Sequence, residues 1–320
     1  MSIIQSIVLG IIQGITEFFP ISSSGHLVVF PYFFNWDYPP LYFIVTVHFA
    51  TLAAVVTILH REIFKIIKAV ILGIFIRKER SSGNFKLGIL LIVATIPAAA
   101  VGYFLDEYVE SLFSKPMAVA AFLLVTALFL WLGELRGTYV ESRFSKGRDR
   151  RDRRNSRDDR YPFSRSKEAR RSGLVGEIGV EGSGSTKKVR FNLFIAVMTG
   201  IGQAIAILPG VSRAGATISF ARFFGVKRSE AVRFSFLLSI PVIFGSFIFE
   251  LYRSSGIIFG DNLHVVRNLI TGFFFSYLAG LFAIRFIVYL TKKKNLNIFA
   301  IYCIGLAAAT IIFYIIKRFI

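Results

Sequence analysis

A polar segment near the amino terminus, from Gln13 to His26, interrupts sequence that is otherwise apolar. It holds one carboxylate, one amide, three consecutive serines and one imidazole. Ionisable groups at membrane depth are costly and therefore rare unless they have a function. Gln13 and Glu17 lie four residues apart, so a helix places them on one face. Their oxygens could bind a hard divalent cation, with waters and phosphate oxygens completing its shell.

The segment recurs in part after a shift of 190 residues. The shift places Gly10-Ile11-x-Gln13 on Gly200-Ile201-x-Gln203, Ser22 on Ser212 and Gly25 on Gly215. The first copy carries the acidic Glu17, whereas the second carries the basic Arg213. Two polar segments broken by Gly and Pro, at corresponding places in two halves of a membrane protein, indicate a binding site.

Both segments have the residue types that hold a phosphate. After Pro20, the serine run is expected to end one helix, and a second helix starts near His26. Hydroxyls and free N–H groups at such a start bind anions, and Arg213 at the second start suits two-point phosphate binding. The predicted phosphate-binding residues are Ser22, Ser24, Gly25, Ser212, Gly215 and Thr217. This inventory favours phosphoryl transfer, which depends on positioning and charge neutralisation.

The residues selected above, and three other polar residues of the chain, also have structural interpretations. The alternatives are close packing for Gly25 and Gly215, helix capping for the serines, structural roles for His26 and His48, and anchors or helix-end charges for Arg222 and Arg233. Glu17 and Arg213 are the hardest to explain structurally, because a buried charge without a partner is costly.

The composition predicts an all-α polytopic membrane protein. The chain has 320 residues, of which 54% are hydrophobic, and several apolar runs of about 20 residues could each cross a hydrocarbon core of roughly 30 Å. The predicted spans are 39–60, 86–105, 117–135, 230–252, 269–290 and 297–317. No cleavable signal is expected, and Cys303, the only cysteine, excludes an intramolecular disulfide.

Two further regions, 1–34 and 191–224, are split by Pro and Gly, and we predict that each forms a re-entrant helical hairpin. Each half of the chain then has one hairpin and three spans. Three is odd, so the halves start on opposite faces of the membrane and form an inverted repeat. The segment 63–76, which contains Lys65 and Lys68, suits a separate interfacial helix.

Loop charges set the predicted orientation in the cell membrane. The basic connections 61–85, 136–190 and 291–296 are placed in the cytoplasm, and the acidic connection 106–116 outside. Both termini then lie outside, and the active site faces outside.

The net charge of +19 is concentrated in one region: residues 141–190 hold 16 Lys and Arg against 8 Asp and Glu. We interpret 137–190 as a disordered cytoplasmic loop that contacts anionic lipid rather than nucleic acid. The chain is therefore predicted to be one integral membrane domain, with a first repeat over 1–136 and a second over 191–320.

The motifs resemble a known family. Gln13-x-x-x-Glu17-Phe-Phe-Pro-Ile-Ser-Ser-Ser-Gly-His26 is similar to the (Glu/Gln)-x-x-x-Glu signature of the undecaprenyl-diphosphatase (bacitracin-resistance) family. Pro209-Gly-Val-Ser-Arg213-Ala-Gly-Ala-Thr217 resembles its Pro-Gly-x-Ser-Arg-Ser-Gly-x-Thr motif, and Glu230 to Pro241 resembles the segment that follows. The similarity covers both halves of the chain.

The resemblance implies a membrane phosphatase with interlocked inverted repeats that removes the terminal phosphate of a C55 isoprenyl diphosphate and so recycles the lipid carrier for cell-envelope synthesis. It implies that Glu17 and Gln13 bind a divalent metal, with Mg²⁺ expected and Ca²⁺ or Mn²⁺ as alternatives. It also implies that Ser23 is the nucleophile, His26 the motif histidine and Arg213 the phosphate-binding arginine.

The chain departs from the family pattern in three places. Gln13 leaves fewer anionic ligands than Glu would, Ala214 replaces the usual Ser, and the basic insert at about 137–190 is additional. Two other functions stay open: a flippase or transporter for polyprenyl phosphate, and an inactive lipid-binding relative. The expected partners are the lipid substrate and membrane lipids, with a homodimer as one option for the oligomeric state.

Overall fold

The computed structural model of the chain describes residues 1–158, 191–258, 263–293 and 295–319, and these residues form helices and turns with no strand among them. The helices are α1 (Ile3–Thr16), α2 (Ser23–Phe34), α3 (Leu41–Phe75), α4 (Gly83–Phe104), α5 (Asp106–Leu112), α6 (Pro116–Asp158), α7 (Leu193–Ile205), α8 (Arg213–Phe223), α9 (Arg228–Arg253), α10 (Ser255–Ile258), α11 (Leu263–Lys293) and α12 (Asn297–Phe319). A short 3₁₀ helix, Arg77–Ser81, joins α3 to α4.

Within the described ranges, six helices are long and apolar enough to cross a membrane: α3, α4, α9, α12, residues Pro116–Arg143 of α6 and residues Leu263–Thr291 of α11. They coincide with the six predicted spans, which confirms the all-α polytopic fold class.

Helix α3 is longer than the predicted first span, because residues 63–75 of the predicted interfacial segment continue it without a break. Ile66 and Ala69 are buried, and Gly73 lies so close to Phe85 that a Cβ there would stand 2.3 Å from its ring. The extension therefore packs on α4 and is not a separate helix, while its position at the membrane interface remains a prediction.

Helix α6 also runs past its predicted end. The predicted loop was to begin at 137, whereas the helix continues to Asp158. Gly137 allows the extension to form, since a Cβ there would lie 2.6 Å from Cζ of Arg222, whose guanidinium donates to Glu141 at 2.6 Å. This ion pair attaches the start of the extension, at Glu141, to α8. Residues 159–190 of the predicted loop lie outside the described ranges.

The packing exchanges elements between the two halves. Among its contacts with other helices, α1 packs most extensively on α11 and α7 on α4, so each first short helix lies on the second span of the other half. The first spans α3 and α9 also pack together, as do the third spans α6 and α12. An inverted repeat predicts this exchange, but the repeat and the re-entrant hairpins remain predictions.

Candidate active site

The first polar segment forms the turn between α1 and α2. Ser22 has φ of 67°, a left-handed conformation that is uncommon for a residue with a Cβ and often marks a functional constraint. Its Oγ accepts a hydrogen bond from Gly25 N at 3.2 Å and caps α2. The predicted helix break and capping serine are therefore present, and the cap turns Ser23 and Ser24 into the first turn of α2.

The second polar segment forms the turn between α7 and α8. Gly210 has φ of +107°, and Ser212 caps α8 by accepting from Gly215 N at 2.9 Å. Thr126 of α6 fixes the turn, because its Oγ1 donates to Gly210 O at 2.8 Å and accepts from Ser212 N at 2.9 Å. These contacts set the direction in which Arg213 leaves the helix start.

The two turns contact each other. Gly210 N donates to Ser24 Oγ at 3.4 Å. A Cβ on Gly25 would stand 3.3 Å from Gly210 Cα, so this glycine allows the backbones to approach. The starts of α2 and α8, which lie 190 residues apart in sequence, therefore meet at one place.

Glu17 is at the centre of the polar cluster and is 5% exposed. Its Oε1 accepts from Arg213 Nη2 at 2.6 Å. Its Oε2 accepts from Ser23 Oγ at 2.6 Å and from Gln13 Nε2 at 2.9 Å. The structure thus brings together four residues that the sequence analysis selected, from α1, α2 and α8.

Arg213 has a second anchor in α9. Its Nη1 donates to Ser235 O at 3.2 Å, while Thr217 contacts both Arg213 O and the Ser235 hydroxyl, at 2.8 and 2.7 Å. Thr217 therefore ties the first turn of α8 to α9. A guanidinium carries five N–H donors, so Arg213 can hold these partners and still present donors to a phosphate.

Gln13 has one buried atom without a partner. Its Oε1 makes no hydrogen bond to the described residues, although the side chain is fully buried. An unsatisfied buried acceptor costs about 1–3 kcal/mol, and a cation beside Glu17 would satisfy it. No three His, Cys, Asp or Glu side chains cluster in the described parts of the chain, so an ion here would fit the Mg²⁺ pattern of few protein ligands.

His26 points away from this cluster. Its Nδ1 lies 2.7 Å from Ser22 O and its Nε2 2.7 Å from the hydroxyl of Tyr302 in α12. The two rings stack, with centroids 5.6 Å apart. Both ring nitrogens are therefore used within the protein, and the catalytic role predicted for His26 remains a prediction.

A structural role was favoured for His48 on its sequence, yet its Nε2 lies 3.4 Å from Glu17 Oε2. The available signal was a lone imidazole in an apolar span, since polar groups at membrane depth tend to be functional. Thr126 and Ser235, which position the second turn and Arg213, are ordinary polar residues in spans. Ser235 lies in the segment Glu230 to Pro241 that resembles the family, whereas no sequence signal marks Thr126.

Arg222 and Arg233 were interpreted as anchors or helix-end charges, and the structure places both in ion pairs. Arg222 is fully buried and pairs with Glu141, while Arg233 Nε donates to Glu62 at 2.6 Å. These pairs join helices away from the Glu17 cluster.

Comparison with known proteins agrees with the motifs. The sequence model of the family described as bacitracin resistance protein BacA matches residues 6–309. An undecaprenyl-diphosphatase of Desulforudis audaxviator is 31% identical over 317 residues, covering 99% of this chain and all of the relative. Relatives of the same name from Christiangramia forsetii and Methanococcus vannielii are 35% and 31% identical, covering 98% and 97% of this chain and 98% and 100% of their own length. The motifs that meet around Glu17 thus lie within a match that extends over almost the whole sequence, and the chain belongs to the bacitracin resistance protein BacA family.

Proposed function

We propose that the chain is a membrane phosphatase that hydrolyses undecaprenyl diphosphate, or a related polyprenyl diphosphate, to the monophosphate and inorganic phosphate. The observation that carries this proposal is the contact of Ser23 and Arg213 with the two oxygens of Glu17, each at 2.6 Å. One carboxylate thus joins a hydroxyl nucleophile to a phosphate-binding arginine. The relatives named undecaprenyl-diphosphatase support the substrate.

In the proposed reaction, Ser23 Oγ attacks the terminal phosphorus while its proton passes to Glu17 Oε2, the acceptor it already faces. The bond from this phosphorus to the bridging oxygen breaks, and the electron pair leaves with the lipid monophosphate. The serine then carries the phosphoryl group. Glu17 gives its proton to the departing monophosphate and so becomes a base again. It then takes a proton from a water, whose oxygen attacks that phosphorus. The bond to Ser23 Oγ breaks, Glu17 returns the proton to Ser23, and inorganic phosphate leaves.

Arg213 and the two helix starts hold the phosphate oxygens in this scheme. A planar guanidinium suits two phosphate oxygens at once, and the N-termini of α2 and α8 favour negative charge. Glu17 and Gln13 would hold the divalent cation, expected to be Mg²⁺. When bound, it would neutralise charge on the diphosphate.

The multi-pass chain lies in the cell membrane in our proposal, with both termini and the pocket outside and the basic connections in the cytoplasm. The diphosphate head group would enter from the outer leaflet, while its tail stays in lipid between helices.

A homodimer is a further prediction, which light scattering of the purified protein in detergent would test.

The direct test is phosphate release by the purified protein in detergent, where transport has no direction and only hydrolysis is measured. A panel of polyprenyl diphosphates, each with EDTA and with Mg²⁺ restored, should show turnover that needs the cation. A protein that binds these lipids without releasing phosphate would be a flippase or a lipid-binding relative instead.

A further inference from the structure

We infer that His48 is a third ligand of the metal, through Nε2, beside Glu17 and Gln13. This inference rests on the proposed function, because the metal site belongs to that proposal. It adds an imidazole to a ligand set that otherwise contains only oxygen, and so changes the class of ion that the site selects.

The hydrogen bond on the other side of the ring fixes its tautomer. His48 Nδ1 lies 2.8 Å from Ile44 O in the preceding turn of α3. A carbonyl oxygen only accepts, so Nδ1 carries the proton and donates it. In the neutral ring, Nε2 then carries a lone pair and lies 3.4 Å from a carboxylate oxygen. Two acceptors this close repel each other unless a cation or a proton lies between them.

A metal ion accounts for the arrangement better than a charged imidazolium does. Glu17 already has Arg213 as its cationic partner on Oε1, and its Oε2 already accepts from Ser23 and Gln13. An imidazolium would leave Gln13 Oε1 without a partner. Exchanging the Gln13 oxygen and nitrogen would only transfer this deficit to the other atom. An ion shared by His48, Glu17 and Gln13 satisfies all three side chains.

The distance and the exposure agree with this assignment. Two ligands bound to one ion at about 2.1 Å stand about 3.0 to 3.4 Å apart, depending on the geometry, and Nε2 and Oε2 are 3.4 Å apart. The His48 side chain is 21% exposed. The His48 side chain is therefore not sealed inside the protein.

The consequence is a preference for a transition metal. Imidazole suits Fe²⁺, Ni²⁺ and Zn²⁺, whereas Mg²⁺ favours oxygen ligands. With one imidazole and two oxygen ligands, the site should bind Zn²⁺ more tightly than Mg²⁺, in contrast to the Mg²⁺ expected from Gln13 and Glu17 alone. Mn²⁺ serves as the paramagnetic probe of the same ligands.

The test is pulsed electron paramagnetic resonance of Mn²⁺ bound to the purified protein in detergent. The wild type should show the nitrogen coupling of a ligating imidazole. His48→Gln keeps the side-chain length but supplies only an amide, so Mn²⁺ should still bind, about tenfold or more weakly, and the coupling should vanish. His60→Gln is the matched control, since His60 is exposed on the same helix and its Nδ1 also lies near a backbone carbonyl of the preceding turn, Thr57 O at 2.9 Å. It should leave both the affinity and the coupling unchanged.

Three results would overturn the inference: no Mn²⁺ binding to the wild type, binding without imidazole coupling, or coupling that persists in His48→Gln. Phosphate release by the same wild-type preparation is measured separately. Phosphate release without imidazole coupling would refute His48 as a ligand and leave the phosphatase activity standing. Imidazole coupling without phosphate release would refute the phosphatase activity and leave His48 as a ligand.

Discussion

Glu17 is the residue through which the polar groups of both halves of the chain are connected. Its carboxylate meets Arg213 from 196 residues away, and the partners on its two oxygens differ in kind. Oε1 faces a permanent cation, whereas Oε2 faces a hydroxyl, an amide and an imidazole. The first oxygen therefore suits holding Arg213 in place, and the second suits proton transfer or metal binding.

Glu17→Gln is expected to lower the rate of phosphate release by about 10²- to 10⁴-fold, the range lost with a general base. The amide has nearly the same size but neither accepts the serine proton nor contributes a negative charge. Glu62→Gln is the matched control, because Glu62 also forms an ion pair with an arginine, Arg233, which joins α3 to α9. It should keep most of the activity. Near wild-type turnover by Glu17→Gln would remove Glu17 from the mechanism.

Arg213→Lys should be almost as damaging to turnover as Arg213→Ala. Arg213 contacts Glu17 and Ser235 O through two different nitrogens, and a single ammonium cannot reproduce both while also binding a phosphate at two points. Steady-state phosphate release measures the effect, with Arg233→Lys as the control at an ion pair outside the site. Recovery of most activity with Lys would mean that Arg213 supplies charge alone.

At the scale of elements, the turns at the starts of α2 and α8 position the residues of the site. The second turn depends on the backbone conformation of a glycine, Gly210. Gly210→Ala should lower the melting temperature and the activity together. The position has φ of +107°, and a Cβ would lie 2.6 Å from Val119 O. Strain of this kind costs about 1–3 kcal/mol and would displace the Ser212 cap.

Gly245→Ala is the control for this prediction, because Gly245 lies within α9 and a Cβ there meets nothing within 4 Å. It should be neutral or raise the free energy of unfolding by up to about 1 kcal/mol, the helix preference for alanine. Equal thermal stability of the two variants would show that the turn tolerates a side chain.

The elements were predictable from the sequence to different degrees. Six spans followed from hydropathy, and both turns from Pro, Gly and Ser. The extension of α3 was missed because Lys65 and Lys68 suggest an interface, whereas burial of Ile66 and Ala69 on α4 decides the structure. The contact of His48 with Glu17 was missed because Glu17 lies 31 positions earlier, just after α1, and a pattern within one span carries no information about that contact.

At the scale of the whole molecule, the exchange of elements between halves explains why one site needs residues from both. Helix α1 packs on α11 and ends just before Glu17, while α7 packs on α4 and leads into the turn that precedes Arg213. Neither half holds both charges, so a fragment of either half would lack one side of the ion pair. The halves are therefore expected to function only together.

The orientation of the molecule can be tested with single cysteines in a Cys303→Ser background, since Cys303 is buried and free. Asp37 and Lys78 are exposed, in the connections that precede and follow α3. A membrane-impermeant thiol reagent added to intact cells should label Asp37→Cys at once and Lys78→Cys only after permeabilisation, because the basic connection is predicted to be cytoplasmic. The reverse pattern would invert the topology.

Ser24→Cys extends this prediction to the pocket itself. Ser24 is partly exposed, whereas Ser22, Ser23 and Gly25 are buried, so position 24 is where a reagent can reach the meeting point of the two turns. If the pocket opens outside, the reagent should label Ser24→Cys in intact cells at a rate below that of Asp37→Cys, and polyprenyl diphosphate should slow it further. Labelling only after permeabilisation would place the opening on the cytoplasmic face. Protection from both faces would mean an occluded site, which is the behaviour of an alternating-access transporter and would favour that function over hydrolysis.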